Sequence, residues 1–482
     1  MTNKTPPTVA DQTLTTASLF KSERVLIDGI FQPACLVVSN GIITAIEALD
    51  FELVEAQTVQ DFGKRTLIPG LVDTHVHINE PGRTEWEGFN TATRAAAAGG
   101  ISTVVDMPLN CTPVTTSADA LQQKLTALEG KLWIDCGFWG GVVPDSLDGL
   151  PALIEAGVLG VKSFTIDSGI DDFQPVGPSH LSAAIDILAQ YNIPYLIHAE
   201  LDSGLDAPDI GNRYQSFLAS RPKSWENDAI EMMIDLAEQA HSKGVNGKIH
   251  IVHLSSAEAI PAIRAAQDRG LQLSAETCPH YLSLFAESIP DGKTLFKCCP
   301  PIREDANRQQ LWQGLAEGTI EFIVSDHSPC TPQLKHIDSG DIEKAWGGIS
   351  SLQFGLSIIW TEAKERGYSL QQVIDWMATR PARFAGLGHK KGRIAVGFDA
   401  DLVVFDETAE YTISAEMIQF RHKITPYEGK QVAGRVEQTF VRGHEVYAFG
   451  AFPGQPQGQP LMGEAANNAV AKAANTATST GN

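Results

Sequence analysis

Eight short apolar runs, each followed by a stretch with helical spacing, constrain this chain more than any other feature. They lie at residues 71–77, 102–108, 134–142, 160–164, 194–200, 248–254, 272–280 and 320–329. Between them, Leu121, Leu125 and Leu128 fall on one helical face, as do Ile230, Met233, Ile234 and Ala237. Ser117 and Ser256 stand where helix N-caps belong. Strand and helix alternating in this way predict the α/β class, a parallel sheet covered by helices. Eight units is the count of a closed (β/α)8 barrel of the TIM type. An open doubly wound sheet is the competing arrangement, but the first strand is not followed by the Gly-rich phosphate loop such sheets use.

Two flanking regions, 18–68 and 390–450, read as short strands. Neither has enough strands for a stable core alone. Together they predict one composite β-sandwich built from both ends of the chain, with the barrel, 69–389, inserted between. Residues 1–17 are polar with paired prolines, and 451–482 are low in complexity. Such compositions bury too little surface to offset the entropy of ordering, so both are expected to be tails. The Ala-rich piece near Val470 is compatible with a short helix.

A net charge of −22 argues against nucleic acid or an anionic membrane surface as partner. The seven cysteines are scattered, odd in number and form no C-x-x-C pair, which fits a reduced, cytoplasmic setting. The first residues are polar and threonine-rich, unlike a signal peptide, and no apolar run approaches the ~20 residues of a membrane span.

The chemistry lies at the ends of the predicted strands, where barrels of this kind place their active sites. In the first run, His75 and His77 are two apart and point to one side of an extended strand, so both imidazoles can aim at one point. The fourth run carries Lys162, the fifth ends in His198, the sixth in His253 and the eighth in Asp326. Imidazole and carboxylate donors together suit zinc and its first-row neighbours. His250 and His327, at odd separation from His253 and Asp326, are expected to face away. His280 is a candidate for a supporting position.

This constellation resembles the amidohydrolase superfamily, and within it the cyclic amidohydrolases: dihydroorotases, hydantoinases and allantoinases. The resemblance covers about residues 20 to 450 and includes the split β-sandwich. It implies two divalent metal ions, zinc first with Mn, Co or Fe as alternatives. His75 and His77 would bind the buried ion and His198 and His253 the outer one. Lys162, carbamylated by CO2 or bicarbonate, would bridge the two ions. Asp326 would bind the buried ion and carry the catalytic proton as an activated water opens a cyclic amide. It further implies a homotetramer.

The substrate is narrowed by residues 77–88. Dihydroorotases place an arginine two residues after the second histidine to hold a substrate carboxylate; this chain has Asn79 there, which points to a neutral ring. Residues 80–88, with the runs 107–110, 298–303, 325–330 and 345–349, are similar to those of allantoinases, which open the hydantoin ring of allantoin to allantoate. On that resemblance Asn110, Cys299 and Ser328 are candidate substrate contacts. Cys299 stands where relatives often have serine, and backbone contacts would survive the exchange. Hydantoinase, dihydropyrimidinase or dihydroorotase activity is the alternative. A catalytically inactive assembly protein is the alternative of another class, and such relatives usually lack several of the six ligands present here.

Overall fold

The computed structural model describes residues 17–53, 56–204 and 209–466. The eight apolar runs form eight parallel strands. In order they are Leu71–Val76, Ile101–Asp106, Asp135–Phe138 with its continuation Gly140–Gly141, Val161–Phe164, Pro194–His198, Lys248–Ile251, Leu273–Thr277 and Phe322–Ile323. Each pairs in parallel with the next. The circle closes where the His77 amide donates to the His327 carbonyl (2.8 Å), beside a parallel bridge from Val76 to His327. A helix follows every strand, from Phe89–Ala98 after the first to Gly355–Glu365 after the eighth. The helical faces expected to be apolar pack inward: Leu121, Leu128, Ile230, Met233, Ile234 and Ala237 are all buried.

The Ser117 hydroxyl caps its helix by accepting from the Ala120 amide (3.2 Å). Ser256 does not act this way. Its amide and that of Ser255 donate to the Glu226 carboxylate (2.8 and 2.7 Å), and the Ala257 amide donates to Asn307. A carboxylate from the preceding helix therefore takes the N-cap role, and the Ser256 hydroxyl is left to bond Asn227 (2.8 Å).

The flanking segments join as the strand pattern predicts. Thr66–Pro69 pairs in parallel with Ser18–Ile27 on one side and antiparallel with Leu402–Thr412 on the other, stitching the two chain ends into one hydrogen-bonded network. Ser18–Ile27 and Gln431–Val441 are three strands apart in that order, about 14 Å in a flat sheet. The Phe20 and Phe440 rings are nevertheless 5.3 Å apart. The sheet curls over its own core to make the sandwich half of a barrel-plus-sandwich fold. Buried Lys391 ties it to the barrel, meeting Asp135 of the third strand (2.6 Å), Asp399 (2.8 Å) and Asp401 (2.7 Å).

The expectation of a loose C-terminal tail does not hold for residues 451–466. Strand three pairs with strand four at Gly140 and Gly141, with one further bond from the Leu159 amide to the Phe138 carbonyl (2.9 Å), so among the described residues the stretch before Phe138 has no strand-four partner. The tail covers that stretch. Cys136 donates to Gln459, Leu461 donates to Cys136 (3.0 and 2.8 Å), and the Asp135 carboxylate accepts from the Gln459 amide (2.8 Å). Low complexity did not prevent ordering because unpaired strand groups supply the partners. Residues 1–16 and the Ala-rich piece near Val470 lie outside the described residues.

Candidate metal centre

The six residues singled out by their strand-end positions meet at one point. Lys162 Nζ is 3.2 Å from His75 Nε2, and Asp326 Oδ1 is 3.3 Å from His75 Nε2 and 3.7 Å from His77 Nε2. His198 Nδ1 is 3.0 Å from His253 Nε2. Donor atoms of His75, His253 and Asp326 lie within 4.8 Å of one another. His77, Lys162, His198, His253 and Asp326 line a cavity of about 470 Å³, with His75 behind them. Asn110, Cys299 and Ser328 line the same cavity. His253 and Asp326 sit just past their strands with φ of +41° each, a left-handed backbone that costs energy in non-glycine residues and clusters at functional sites.

Surrounding groups fix which ring nitrogen faces the centre. His75 Nδ1 is held by Glu276 (2.5 Å), leaving Nε2 inward. His198 Nε2 is held by Glu200 (2.8 Å), leaving Nδ1 inward; its ring stacks on Phe164 at 4.3 Å. Glu200 is in turn gripped by Arg221 through Nε (3.2 Å) and Nη2 (2.5 Å). That guanidinium and the neighbouring imidazole hold the Glu200 carboxyl down at about 2 despite burial. Asp73 accepts from the amides of His75 and Ser325, locking the ends of strands one and eight together.

Burial keeps the imidazoles uncharged. It drives His75, His77 and His253 well below the ordinary imidazole range, with the nearby Lys162 charge adding to the effect, and lowers His198 as well. Burial also pulls the Lys162 ammonium down and pushes the Asp326 carboxyl up. Neutral imidazoles offer lone pairs, and a lysine drawn toward its free amine is the form that adds CO2. The donor set therefore fits divalent metal ions of the zinc type, whose ligands are neutral imidazole and carboxylate.

Several supporting residues escaped the sequence. Glu276, fully buried inside the barrel, bonds His75 with one oxygen and His250 Nε2 with the other (3.1 Å). His250 itself corrects an expectation. It is in register with Leu196, which is in register with Lys162, so it points into the barrel and not toward the helices. Parity from His253 failed because the left-handed turn at that residue breaks strand alternation. The rings of Phe322 (5.1 Å) and Phe384 (4.2 Å) pack against His250 as a floor. His327 does point away from the centre, to Glu87 (3.2 Å). His280 is buried, with a ring nitrogen, the Cys278 sulfur and an Asp326 oxygen all within 4.8 Å of one another. Lys335 secures the far wall by donating to the carbonyls of Lys297 (3.0 Å), Trp346 (2.8 Å) and Gly348 (2.5 Å). The detectable signal for Glu200 and Glu276 was a charged residue beside a buried apolar one, Ala199 and Ala275; Lys335 had no such signal, since Leu334 and Ile337 beside it are exposed.

The run at residues 80–88 plays a different part from the one its substrate association suggests. None of its residues lines the cavity. Glu80 accepts from the Phe89 amide (2.8 Å) at a helix start and pairs with Lys131, while Glu87 holds His327 and the Arg421 backbone. Arg83 donates to the Asn110 carbonyl (2.9 Å), and Trp86 packs edge-on to Trp346 at 4.9 Å. The run builds the frame behind Asn110 and Trp346, which do reach the cavity. Asn79 is buried, donates to the Pro329 carbonyl (3.3 Å) and does not line the cavity either.

The chain is 45% identical over 455 residues to the allantoinase of Saccharomyces cerevisiae, covering 92% of this chain and 98% of that one. It is 46% identical over 448 residues to the allantoinase of Streptomyces avermitilis, with the same coverage of each. Among solved structures, the L-hydantoinase (dihydropyrimidinase) of Arthrobacter aurescens superposes with a TM-score of 0.86 at 28% identity, covering 93% of this chain and 100% of that chain. Residues 66–446 match the amidohydrolase family, and with the barrel, the split sandwich and the gathered donors the chain belongs to that family.

Proposed function

We propose that this protein is a metal-dependent hydrolase that opens the hydantoin ring of allantoin to allantoate. The observation that carries the proposal is the convergence of His75, His77, Lys162, His198, His253 and Asp326 at one cavity, five of them on its wall and His75 behind. The similarity to allantoinases supports the substrate.

In this scheme His75 and His77 would hold one ion, and His198 and His253 the other. Lys162 would serve as the shared ligand once carbamylated: its free amine would form an N–C bond to CO2 with loss of one proton, replacing a repelling ammonium by an anionic oxygen donor. Two divalent ions supply Lewis acidity for the ring carbonyl and bring the ionisation of a water toward roughly pH 7. Asp326 takes the proton of the attacking water and returns it to the ring nitrogen as the C–N bond breaks. Asn110, Cys299 and Ser328 hold the ring edge, Cys299 through its backbone. Zinc is the proposed resident ion, with Mn, Co or Fe accepted, and the protein a cytoplasmic homotetramer. No described helix is long and apolar enough to cross a membrane.

The test is turnover by purified protein loaded with zinc and bicarbonate on allantoin, hydantoin, dihydrouracil and dihydroorotate. Allantoin is expected to be opened fastest and dihydroorotate left intact. A preference for dihydroorotate would overturn the assignment.

A further inference from the structure

We infer that Arg221 selects the substrate by its ureido arm, donating hydrogen bonds from Nη1 to the arm's carbonyl. Nε and Nη2 of this guanidinium are committed to Glu200. Its carbon lies 5.3 Å over the Trp225 ring, and its backbone carbonyl accepts from Arg303 Nη1 (3.2 Å), so the group is held on three sides. The side chain still lines the cavity and is 20% exposed. Among the described residues Nη1 has no hydrogen-bond partner. Glu200 is buried and does not line the cavity that Arg221 lines, which assigns the Nη1 edge to the cavity side.

The other cations lining the cavity are differently placed. Lys297 donates to the Glu343 carbonyl (2.8 Å), and Lys344 pairs with Asp341 (3.1 Å) while its side chain is 70% exposed. Among these cations Arg221 is the one that is both fixed and left with a donor edge free. A urea carbonyl is a strong neutral acceptor, and a pre-oriented guanidinium edge meets it at low entropic cost. A hydantoin with an alkyl or aryl substituent would leave that edge unpaired in a partly desolvated site, which penalises it. This makes Arg221 a specificity-determining residue whose other edge also positions Glu200 and, through it, His198.

The inference rests on the allantoin assignment, so the experiment separates the two. Arg221→Lys and Arg221→Met are compared with wild type on allantoin and on hydantoin, which has the ring without the arm. Hydantoin is followed both as substrate and as competitive inhibitor. All values are normalised to bound zinc. The preference for allantoin over hydantoin is expected to fall about 10- to 100-fold, chiefly in KM. Glu200→Gln should change both compounds in proportion. A proportional loss on both compounds in the Arg221 variants would overturn the inference while leaving the parent assignment standing. Wild-type protein that binds hydantoin and fails to open allantoin would overturn the parent assignment instead.

Discussion

Replacing Glu276 with glutamine isolates the contribution of one charge to the metal centre. The carboxylate bonds His75 Nδ1 at 2.5 Å and His250 Nε2 at 3.1 Å, and it is fully buried. Burial raises this carboxyl and the Lys162 charge opposes the rise; divalent cations held at His75 would favour the anion. The amide keeps the shape and can accept from His75 through its oxygen while donating to His250. What is lost is charge. Charge-assisted hydrogen bonds contribute about 1.5–3 kcal/mol and neutral ones about 0.5–1.5 kcal/mol, a difference near 1–1.5 kcal/mol or roughly tenfold in affinity. A ligand histidine deprived of its anionic partner also becomes less basic toward metal, and such changes typically cost 10- to 100-fold. Zinc affinity of Glu276→Gln, measured by chelator competition, is therefore expected to weaken about tenfold with little change in melting temperature. Glu276→Ala strands two buried ring nitrogens and should weaken it about 100-fold while also destabilising the metal-free fold by ~2–5 kcal/mol. Zinc affinity of the glutamine variant within twofold of wild type would refute the idea that Glu276 tunes His75.

Lys162→Met keeps side-chain length without the nitrogen; bound metal, read by elemental analysis, is expected to fall to one ion per chain or fewer and turnover to vanish, with the far-ultraviolet circular dichroism unchanged. Metal uptake should rise with pH and level off above about 8, where the buried Lys162 ammonium loses its proton. The sign follows because a lowered lysine frees its amine, and a raised Asp326 its carboxylate, only as pH climbs. Uptake that falls over pH 6–9 would contradict this. Ending the chain after residue 455 removes the backbone bonds Gly458 to Leu132, Cys136 to Gln459, Leu461 to Cys136 and Gly463 to Gly157. At about 1 kcal/mol each, urea unfolding should show a loss of roughly 4 kcal/mol; an unchanged midpoint would show that the strap contributes nothing.

Much of the candidate site was legible because its ligands sit where strands stop. His75 and His77 announce themselves by spacing, and His198, His253 and Asp326 each close an apolar run. The supporting groups were not legible. Glu276 and His250 are 26 residues apart and meet only because neighbouring strands hold a particular register. Arg221 belongs to the loop after one helix, and nothing local says that it turns back to grip Glu200. The parity rule misplaced His250 since a single positive φ resets which way the chain faces.

The order of apolar runs and helical faces determined the barrel by itself, because burial patterns are local and repeat with the period of each element. The sequence likewise determined the donor chemistry, since residue type sets what a side chain can ligate. Only the tertiary structure decided which nitrogen each imidazole presents, which acid steadies it and how a low-complexity tail became part of the barrel wall. Those outcomes depend on contacts between distant segments and on the cost of leaving buried polar groups unpaired.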